Sequence, residues 1–511
     1  MAASLRHPLS GLAWLLMAAV YLPLLPAVAL LLPPIFSLEN WRALAADPQL
    51  PQALIATLVS TLTAAAGALL LALTVVAALW PGSRWRRLCN HLPWLLAIPH
   101  VAFAVSVLLI FAEGGELYRL CSFCSPVLDR YGIGLGLTLA IKESAFVLWA
   151  IYASLPEKDL AQKVTVLRSL GYGRWQALRW LILPAIATAL GAVMLATIAW
   201  TLSVVDVALI LGPGNPPTLA VLAWQWLSQG DTQQQAKGML VCAILLIILE
   251  LIAVALFLCW RRWQRTIPNV SGERPTPRPL RVGRACALLL PVAGLVSVAI
   301  LVLVAGDARV SRDAAAVSLS LGLCSAALAL GMILLWLEWG PQRGGFWVWL
   351  PLALPALPLV AGQYQLALLM QLDGEWIAVL WGHLLWVLPW MLLVMQPAWR
   401  RLDPRLILIA RTLGWGSLKI FWLIKCPQMI RPALTAFAVG FSVSMAQYLP
   451  TLWLGSGRYA TLTTDAVALS SGGSSAVLAS QALWQLLLPM LVFAACILLS
   501  RLVGRFRQGL R

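Results

Sequence analysis

Apolar residues occur along this chain in long runs that are separated by short polar segments. Most runs reach about 20 residues, which is enough for a helix to cross the hydrocarbon core of a bilayer. Backbone polar groups in lipid must be satisfied within their own segment, so the runs are expected to be helices. The pattern predicts an all-α, polytopic membrane protein with about twelve transmembrane helices. The predicted spans are residues 12–36, 53–80, 92–112, 134–155, 186–210, 238–260, 285–305, 314–338, 347–370, 376–397, 432–454 and 482–503.

The composition supports a chain surrounded by membrane lipid and indicates its orientation. Of the 511 residues, 61% are hydrophobic and only 11% are charged, a share far below that of a typical soluble domain. Lys and Arg concentrate in alternate loops, above all 155–185 and 398–431. Because such loops stay in the cytoplasm, we expect both termini to be cytoplasmic. The net charge of +17 has the same origin, and no basic patch interleaved with aromatic residues indicates a nucleic-acid partner.

The chain divides into two homologous six-helix halves, predicted as residues 1–260 and 285–511. Between them lies a cytoplasmic linker, 261–284, which is rich in Pro and Arg and has no apolar pattern of its own. The halves repeat, because LGYGRWQALRWLILP at 170–184 aligns with LGWGSLKIFWLIKCP at 413–427. Internal repeats in membrane transporters commonly place the solute pathway between the halves.

Two cytoplasmic loops carry the strongest functional pattern. In the first, Leu160, Val164, Leu167 and Leu170 have the spacing of one helix face, and a Gly-x-Gly break follows. Gly171 suits the position just past the helix end, which needs positive φ. A short second helix is expected from 174 to about 183, with Pro184 turning the chain toward the membrane. A single loop of this kind could equally be an amphipathic helix in the headgroups. Its repetition at matching positions favours docking to a two-fold partner.

These loops resemble those of permease subunits of binding-protein-dependent ABC importers, which have the form E-A-A-x-x-x-G-x9-I-x-L-P. The fused layout looks most like that of ferric-iron and thiamine importers, and the resemblance implies a multi-pass protein of the bacterial inner membrane. The resemblance implies that each loop docks into one separate ATP-binding subunit, two in all, and that an external solute-binding protein delivers the solute. The motif glutamate is replaced by Thr165 and Leu408, and the leucine before the second proline by Cys426. The implied coupling residues are Arg168, Leu170, Gly171, Gly173, Pro184, Arg411, Leu413, Gly414, Gly416 and Pro427.

The sequence contains no phosphate-binding loop of the form GxxxxGK[ST], so we expect no ATP hydrolysis by this chain alone. GPGNPP at 212–217 lacks the lysine and falls on the outer side. We therefore predict a transport subunit that is not an enzyme and needs no cofactor or metal.

Ionisable and polar residues within the predicted spans are candidates for lining the pathway, because such groups usually face the interior of a bundle. They are Lys142, Glu143, Asp206, His383 and Gln447. For Lys142 and Glu143 the favoured interpretation is a neutralised pair. For His383 it is a histidine whose hydrogen bonds are satisfied. Cys121 and Cys124, in an outer loop, are compatible with a disulfide or with two free thiols.

Other functional classes fit the sequence less well. A secondary active transporter with two six-helix halves has the same topology, but it does not require two matched helical loops. A membrane enzyme needs convergent catalytic groups, and none of the four histidines (His7, His91, His100 and His383) is close in the sequence to another. The identity of the solute is not encoded in any of these patterns.

Overall fold

A computed structural model of the chain describes residues 8–112, 115–117, 129–265, 281–341 and 345–506. The described residues form helices and connecting segments, with no strand among them. The helices before the linker are α1 (Pro8–Tyr21), α2 (Leu24–Ala29), α3 (Leu38–Ala45), α4 (Leu50–Leu79), α5 (Ser83–Ala97), α6 (His100–Phe111), α7 (Ile133–Ser154), α8 (Glu157–Ser169), α9 (Arg174–Ser203), α10 (Asp206–Leu211), α11 (Leu219–Leu227) and α12 (Thr232–Arg265). Those after it are α13 (Arg281–Ala305), α14 (Arg312–Trp339), α15 (Leu350–Ala353), α16 (Ala356–Leu369), α17 (Trp376–Arg400), α18 (Pro404–Thr412), α19 (417–445), α20 (Leu449–Leu454), α21 (Leu462–Ser470) and α22 (Ser475–Phe506).

The order of helices is repeated along the chain. Helices α20 and α21 begin and end 243 residues after α10 and α11. Even a π-turn inside α9, Leu178–Ile182, has its counterpart inside α19, Phe421–Lys425, at the same separation. This is the separation at which the two sequence motifs align.

The predicted count of twelve spans is not confirmed. Among the described residues, nine helices are long and apolar enough to cross a membrane, and up to eleven if each of two bent pairs is one span. The bent pairs replace the predicted straight spans 92–112 and 347–370. Helices α5 and α6 meet at 86°, and the segment Phe346–Ala353 meets α16 at 108°. A proline stands at each break, Pro99 and Pro355, and the residue before a proline is held away from helical conformation.

The predicted span 186–210 is also wrong at both ends. Helix α9 begins at Arg174 and runs without interruption to Ser203, and a separate helix, α10, follows. Pro184 therefore lies inside a helix and does not restart the chain. The π-turn immediately before it changes the hydrogen-bond register, and a residue without an N–H is accommodated there.

The first helix of each predicted half packs against the other half. Helices α1 and α2 contact α14, α16 and α17, whereas α13 contacts α4, α5, α6 and α7 as well as α22 of its own half. The Tyr21 hydroxyl donates to the Val348 carbonyl at 3.3 Å, and the Trp381 indole N–H donates to the Val20 carbonyl at 2.9 Å. The two sequence halves are consequently interlocked in space.

The ends of the predicted linker are helical, since α12 extends to Arg265 and α13 starts at Arg281. The rest of the linker and both Cys121 and Cys124 lie outside the described residues.

Close packing of α4 on α7 depends on small side chains. A Cβ placed on Gly67 would lie 2.6 Å from Ala140 Cβ, and one on Gly136 would lie 2.9 Å from the Ser60 carbonyl oxygen. Small residues at such contacts let membrane helices approach closely. This contact fixes α7, which carries Lys142 and Glu143, inside the bundle.

Candidate functional site

The first cytoplasmic loop ends its helix α8 with a Schellman motif. Gly171 has φ of 91°, as the sequence predicts for the residue past the helix end. Its N–H donates to the Arg168 carbonyl at 3.0 Å, and the Tyr172 N–H donates to the Leu167 carbonyl at 3.3 Å. These two bonds satisfy carbonyls that the end of a helix otherwise leaves unpaired. Only glycine adopts this backbone conformation without strain.

The second loop has the same geometry. Gly414 has φ of 79°, its N–H donates to the Arg411 carbonyl at 3.0 Å, and the Trp415 N–H donates to the Ala410 carbonyl at 3.0 Å. The predicted backbone conformation is confirmed in both loops. The other two glycines, Gly173 and Gly416, have φ of −78° and −70° and precede the next helix. Residues other than glycine adopt this backbone conformation without strain.

Both turns leave apolar side chains exposed on the surface of the structure. Of the predicted face of α8, Leu160 and Val164 are buried, whereas Leu170, at its end, is 48% exposed. In α18 only Ala410 is buried, and Leu413 is 68% exposed. An exposed leucine lies beside the same backbone turn in both loops, as expected of a surface that another protein covers.

The remaining coupling candidates surround these turns. Arg168 and Arg411 are exposed at the last turns of α8 and α18. Thr165 and Leu408, which replace the motif glutamate, are exposed as well. An open groove lies beside the first turn; it is lined by Asp159, Gln162, Lys163, Val166, Leu167, Leu170 and Leu181. Pro184 and Pro427 lie farther along, in the first turns after the π-turns.

Two of the pathway candidates belong to a hydrogen-bonded core cluster. The ring nitrogens of buried His383 lie 2.7 Å from the Ser444 hydroxyl and 2.9 Å from the Thr451 hydroxyl. Gln447 donates its side-chain N–H to the His383 carbonyl at 3.1 Å. His383 is therefore the satisfied core histidine that the sequence interpretation favoured.

The favoured neutralised Lys–Glu pair stays a prediction. The direct contacts of the two residues lie elsewhere, because Glu143 is 2.6 Å from His100 Nε2 and the Lys142 ammonium donates to the Leu95 carbonyl at 3.3 Å. Lys142 and Glu143 nevertheless interact electrostatically. His100 went unrecognised in the sequence, although an ionisable residue inside a predicted span was the signal.

Asp206 joins the same polar cluster as His100. It is close enough to His100 to interact with it electrostatically, and Tyr448 interacts in turn with Asp206. The His100 ring also lies against Trp200, with ring centroids 4.3 Å apart. Within the described ranges, no three His, Cys, Asp or Glu side chains are grouped so that they could hold a metal ion.

Comparison with known proteins gives one full-length similarity. The inner membrane ABC transporter permease protein YnjC of Escherichia coli (strain K12) is 60% identical over 511 residues, which cover the whole of both chains. No family model and no solved structure matches.

Proposed function

This chain belongs to the permease subunits of inner-membrane ABC transporters, and on that premise we propose that it imports a solute by coupling to two ATP-binding subunits through its two cytoplasmic turns. A permease of this class is a multi-pass transport subunit that works with a separate ATP-binding subunit. The number of those subunits, their contact sites and the direction of transport are the new part of the proposal.

The observation that carries the proposal is the duplicated docking turn. Gly171 and Gly414 end their helices with the same hydrogen bonds, and each presents an exposed leucine, Leu170 or Leu413. Two equivalent turns match two copies of one partner better than they match a lipid surface, which does not require a specific turn. The concentration of Lys and Arg around the turns supports a cytoplasmic position, with both termini on the same side.

The helices provide a direct mechanical connection from the turns to the pathway. Helices α9 and α19 begin only a few residues after Gly171 and Gly414, and α9 is long and apolar enough to cross the membrane. Movement of an ATP-binding subunit that holds a turn would therefore move the attached helix as a rigid element. ATP binding would bring the two turns together and open the pathway outward, toward an external solute-binding protein. The fused layout supports an importer of the type that carries ferric iron or thiamine.

The test is copurification of the detergent-extracted chain with candidate ATP-binding subunits of the same organism. Leu170→Glu together with Leu413→Glu places charges on both docking surfaces and is expected to abolish the complex. The control is Leu369→Glu, because Leu369 is 68% exposed, like Leu413, but ends α16 beside a loop that is expected on the outer side. Equal loss of the complex in the control, or a complex that survives the double substitution, would remove the turns from the interface.

A further inference from the structure

The two cytoplasmic turns share a backbone conformation but differ in the side chains that lead up to them. In the first loop, Lys163, Val166 and Leu170 follow one face of α8 to the turn, at the spacing i, i+3 and i+7. All three are exposed, and all three line the open groove beside this turn. These three positions are the docking stripe of the first turn.

The docking stripe of the second turn is wholly apolar. At the 243-residue separation of the two loops, its members are Leu406, Ile409 and Leu413. These side chains are 46%, 55% and 68% exposed, so the described part of the chain leaves all three uncovered. The exposed lysine of the first stripe is therefore replaced by an exposed leucine in the second.

Two other polar residues line the groove of the first turn, and both are replaced in the second loop. Asp159 corresponds to Leu402, which is half-buried against the core of the second half. Gln162 corresponds to exposed Arg405, which is the one change toward a charge. The first groove thus holds a carboxylate and an ammonium, whereas the matching positions of the second loop hold one guanidinium. The main difference between the two surfaces is the apolar area that each offers.

The second loop is also held less firmly by its own half. Leu160 and Val164 anchor α8 in the core, whereas Asp403 and Ile407 stand in the corresponding places. Asp403 is exposed and caps α18, its carboxylate accepting from the Arg405 N–H at 2.8 Å, and Ile407 is only half-buried. A partner that covers the apolar stripe would therefore stabilise α18 more than α8.

The register of the two stripes indicates that they have the same kind of occupant. Each stripe ends directly before the glycine of positive φ, Leu170 before Gly171 and Leu413 before Gly414. A groove that holds a carboxylate and an ammonium suits a protein surface better than lipid tails. The second stripe presents the same face to a second copy of that protein. Covering leucine there is favourable, whereas covering the ammonium of Lys163 is costly unless the partner pairs with it.

We propose that the second turn binds its ATP-binding subunit more tightly than the first turn does, through the apolar stripe Leu406, Ile409 and Leu413. The inference rests on the proposed coupling of both turns to such subunits, and it adds an order of assembly. A single subunit occupies the second turn first. The arrival of another at the first turn completes the pair that ATP brings together.

The experiment measures equilibrium binding of the copurifying ATP-binding subunit, without nucleotide, to the full-length chain in lipid nanodiscs. Leu170→Glu leaves only the second turn available, and Leu413→Glu leaves only the first. We expect the dissociation constant to be about tenfold lower for Leu170→Glu than for Leu413→Glu. The reason is that the second stripe buries one more leucine and requires no ammonium to be desolvated.

Exchange of one stripe residue between the turns gives a matched pair with opposite expectations. Leu406→Lys, added to Leu170→Glu, is expected to weaken binding about tenfold. Lys163→Leu, added to Leu413→Glu, is expected to strengthen binding by about the same factor. The control is Leu369→Lys, which places a lysine at an equally exposed leucine on the expected outer side and should change neither value.

The outcomes separate this inference from the proposed function. Equal dissociation constants for the two single-turn chains would overturn the inference. So would normal binding by the Leu406→Lys chain, which is the result if the stripe lies in lipid headgroups. A complex that survives Leu170→Glu together with Leu413→Glu would instead remove both turns from the interface, and the proposed coupling with them.

Discussion

A pair of glycine substitutions separates backbone conformation from side-chain volume in the second cytoplasmic turn. Gly414 and Gly416 are two residues apart, and a Cβ added to either meets no atom within 4 Å. They differ in φ, which is 79° at Gly414 and −70° at Gly416. Alanine at Gly414 therefore introduces backbone strain of about 1–2 kcal/mol without a steric clash. Alanine at Gly416 introduces no such strain.

The strain is expected to appear in partner binding because little packing holds this turn in place. Leu413 is 68% exposed, so the turn can escape strain by changing conformation at the end of α18. A shift of 1–2 kcal/mol changes the population of the docking conformation by about 5- to 30-fold. The apparent dissociation constant of the ATP-binding subunit rises by up to the same factor, since only the competent fraction binds.

The assay is titration of ATP-binding subunit onto the reconstituted chain, with binding and transport measured on the same preparations. We expect Gly414→Ala to weaken binding by up to about 30-fold, as the strain allows, and Gly416→Ala to stay within about twofold of the unsubstituted chain. Gly171→Ala should reproduce the effect in the first turn. Equal behaviour of Gly414→Ala and Gly416→Ala would refute the argument that positive φ at this position maintains the docking surface.

Three further perturbations test the interior of the bundle. His383→Leu removes the ring nitrogens from Ser444 and Thr451, but the Thr451 hydroxyl still donates to the Gln447 carbonyl. Loss of the partner of Ser444 should cost about 1–3 kcal/mol, seen as a lower Tm, whereas a normal Tm with lost transport would indicate solute contact. Lys425→Met leaves the mostly buried carboxylate of Glu338 without its positive partner. The free energy of unfolding should fall by about 3–5 kcal/mol, measured by thermal unfolding, and it should recover when Glu338→Met is added. Phe146 and Trp390 join α7 to α17, with ring centroids 5.2 Å apart. Cysteines at both positions, in a background without the native cysteines, should block transport on cross-linking and restore it on reduction. Transport that continues through the cross-link would show that α7 and α17 need not separate.

Local sequence patterns predicted the features that depend on short-range geometry. Positive φ at Gly171 and Gly414 follows from a helix end, a glycine and the next helix, all within about ten residues. The bends at Pro99 and Pro355 were missed because an average of hydropathy over about 20 residues is insensitive to a break in direction. The prolines themselves were present, and their effect on the preceding residue was the available signal.

Tertiary contacts explain the remaining errors. The packing of α1 and α13 against the opposite halves depends on contacts that no repeat or hydropathy pattern encodes. The direct contact of Glu143 is with His100, 43 residues away, and not with its neighbour in the sequence. An ionisable residue in a membrane helix selects the partner that its helix face presents to it, and that requires knowledge of which helices are adjacent.

The two halves share the same cytoplasmic turn but differ in the ionisable residues inside the bundle. Different physical demands on these two features account for the difference. Both cytoplasmic turns would contact copies of the same ATP-binding subunit, so the proposed coupling requires the same turn at Gly171 and Gly414. The ionisable residues His100, Glu143 and Asp206 of the first half carry no such requirement, and the second half has Ala356, Trp386 and Leu449 in the corresponding places. A second set of ionisable groups would double their cost in the membrane. Carboxylates placed at Trp386 and Leu449 are therefore expected to reduce insertion of the chain.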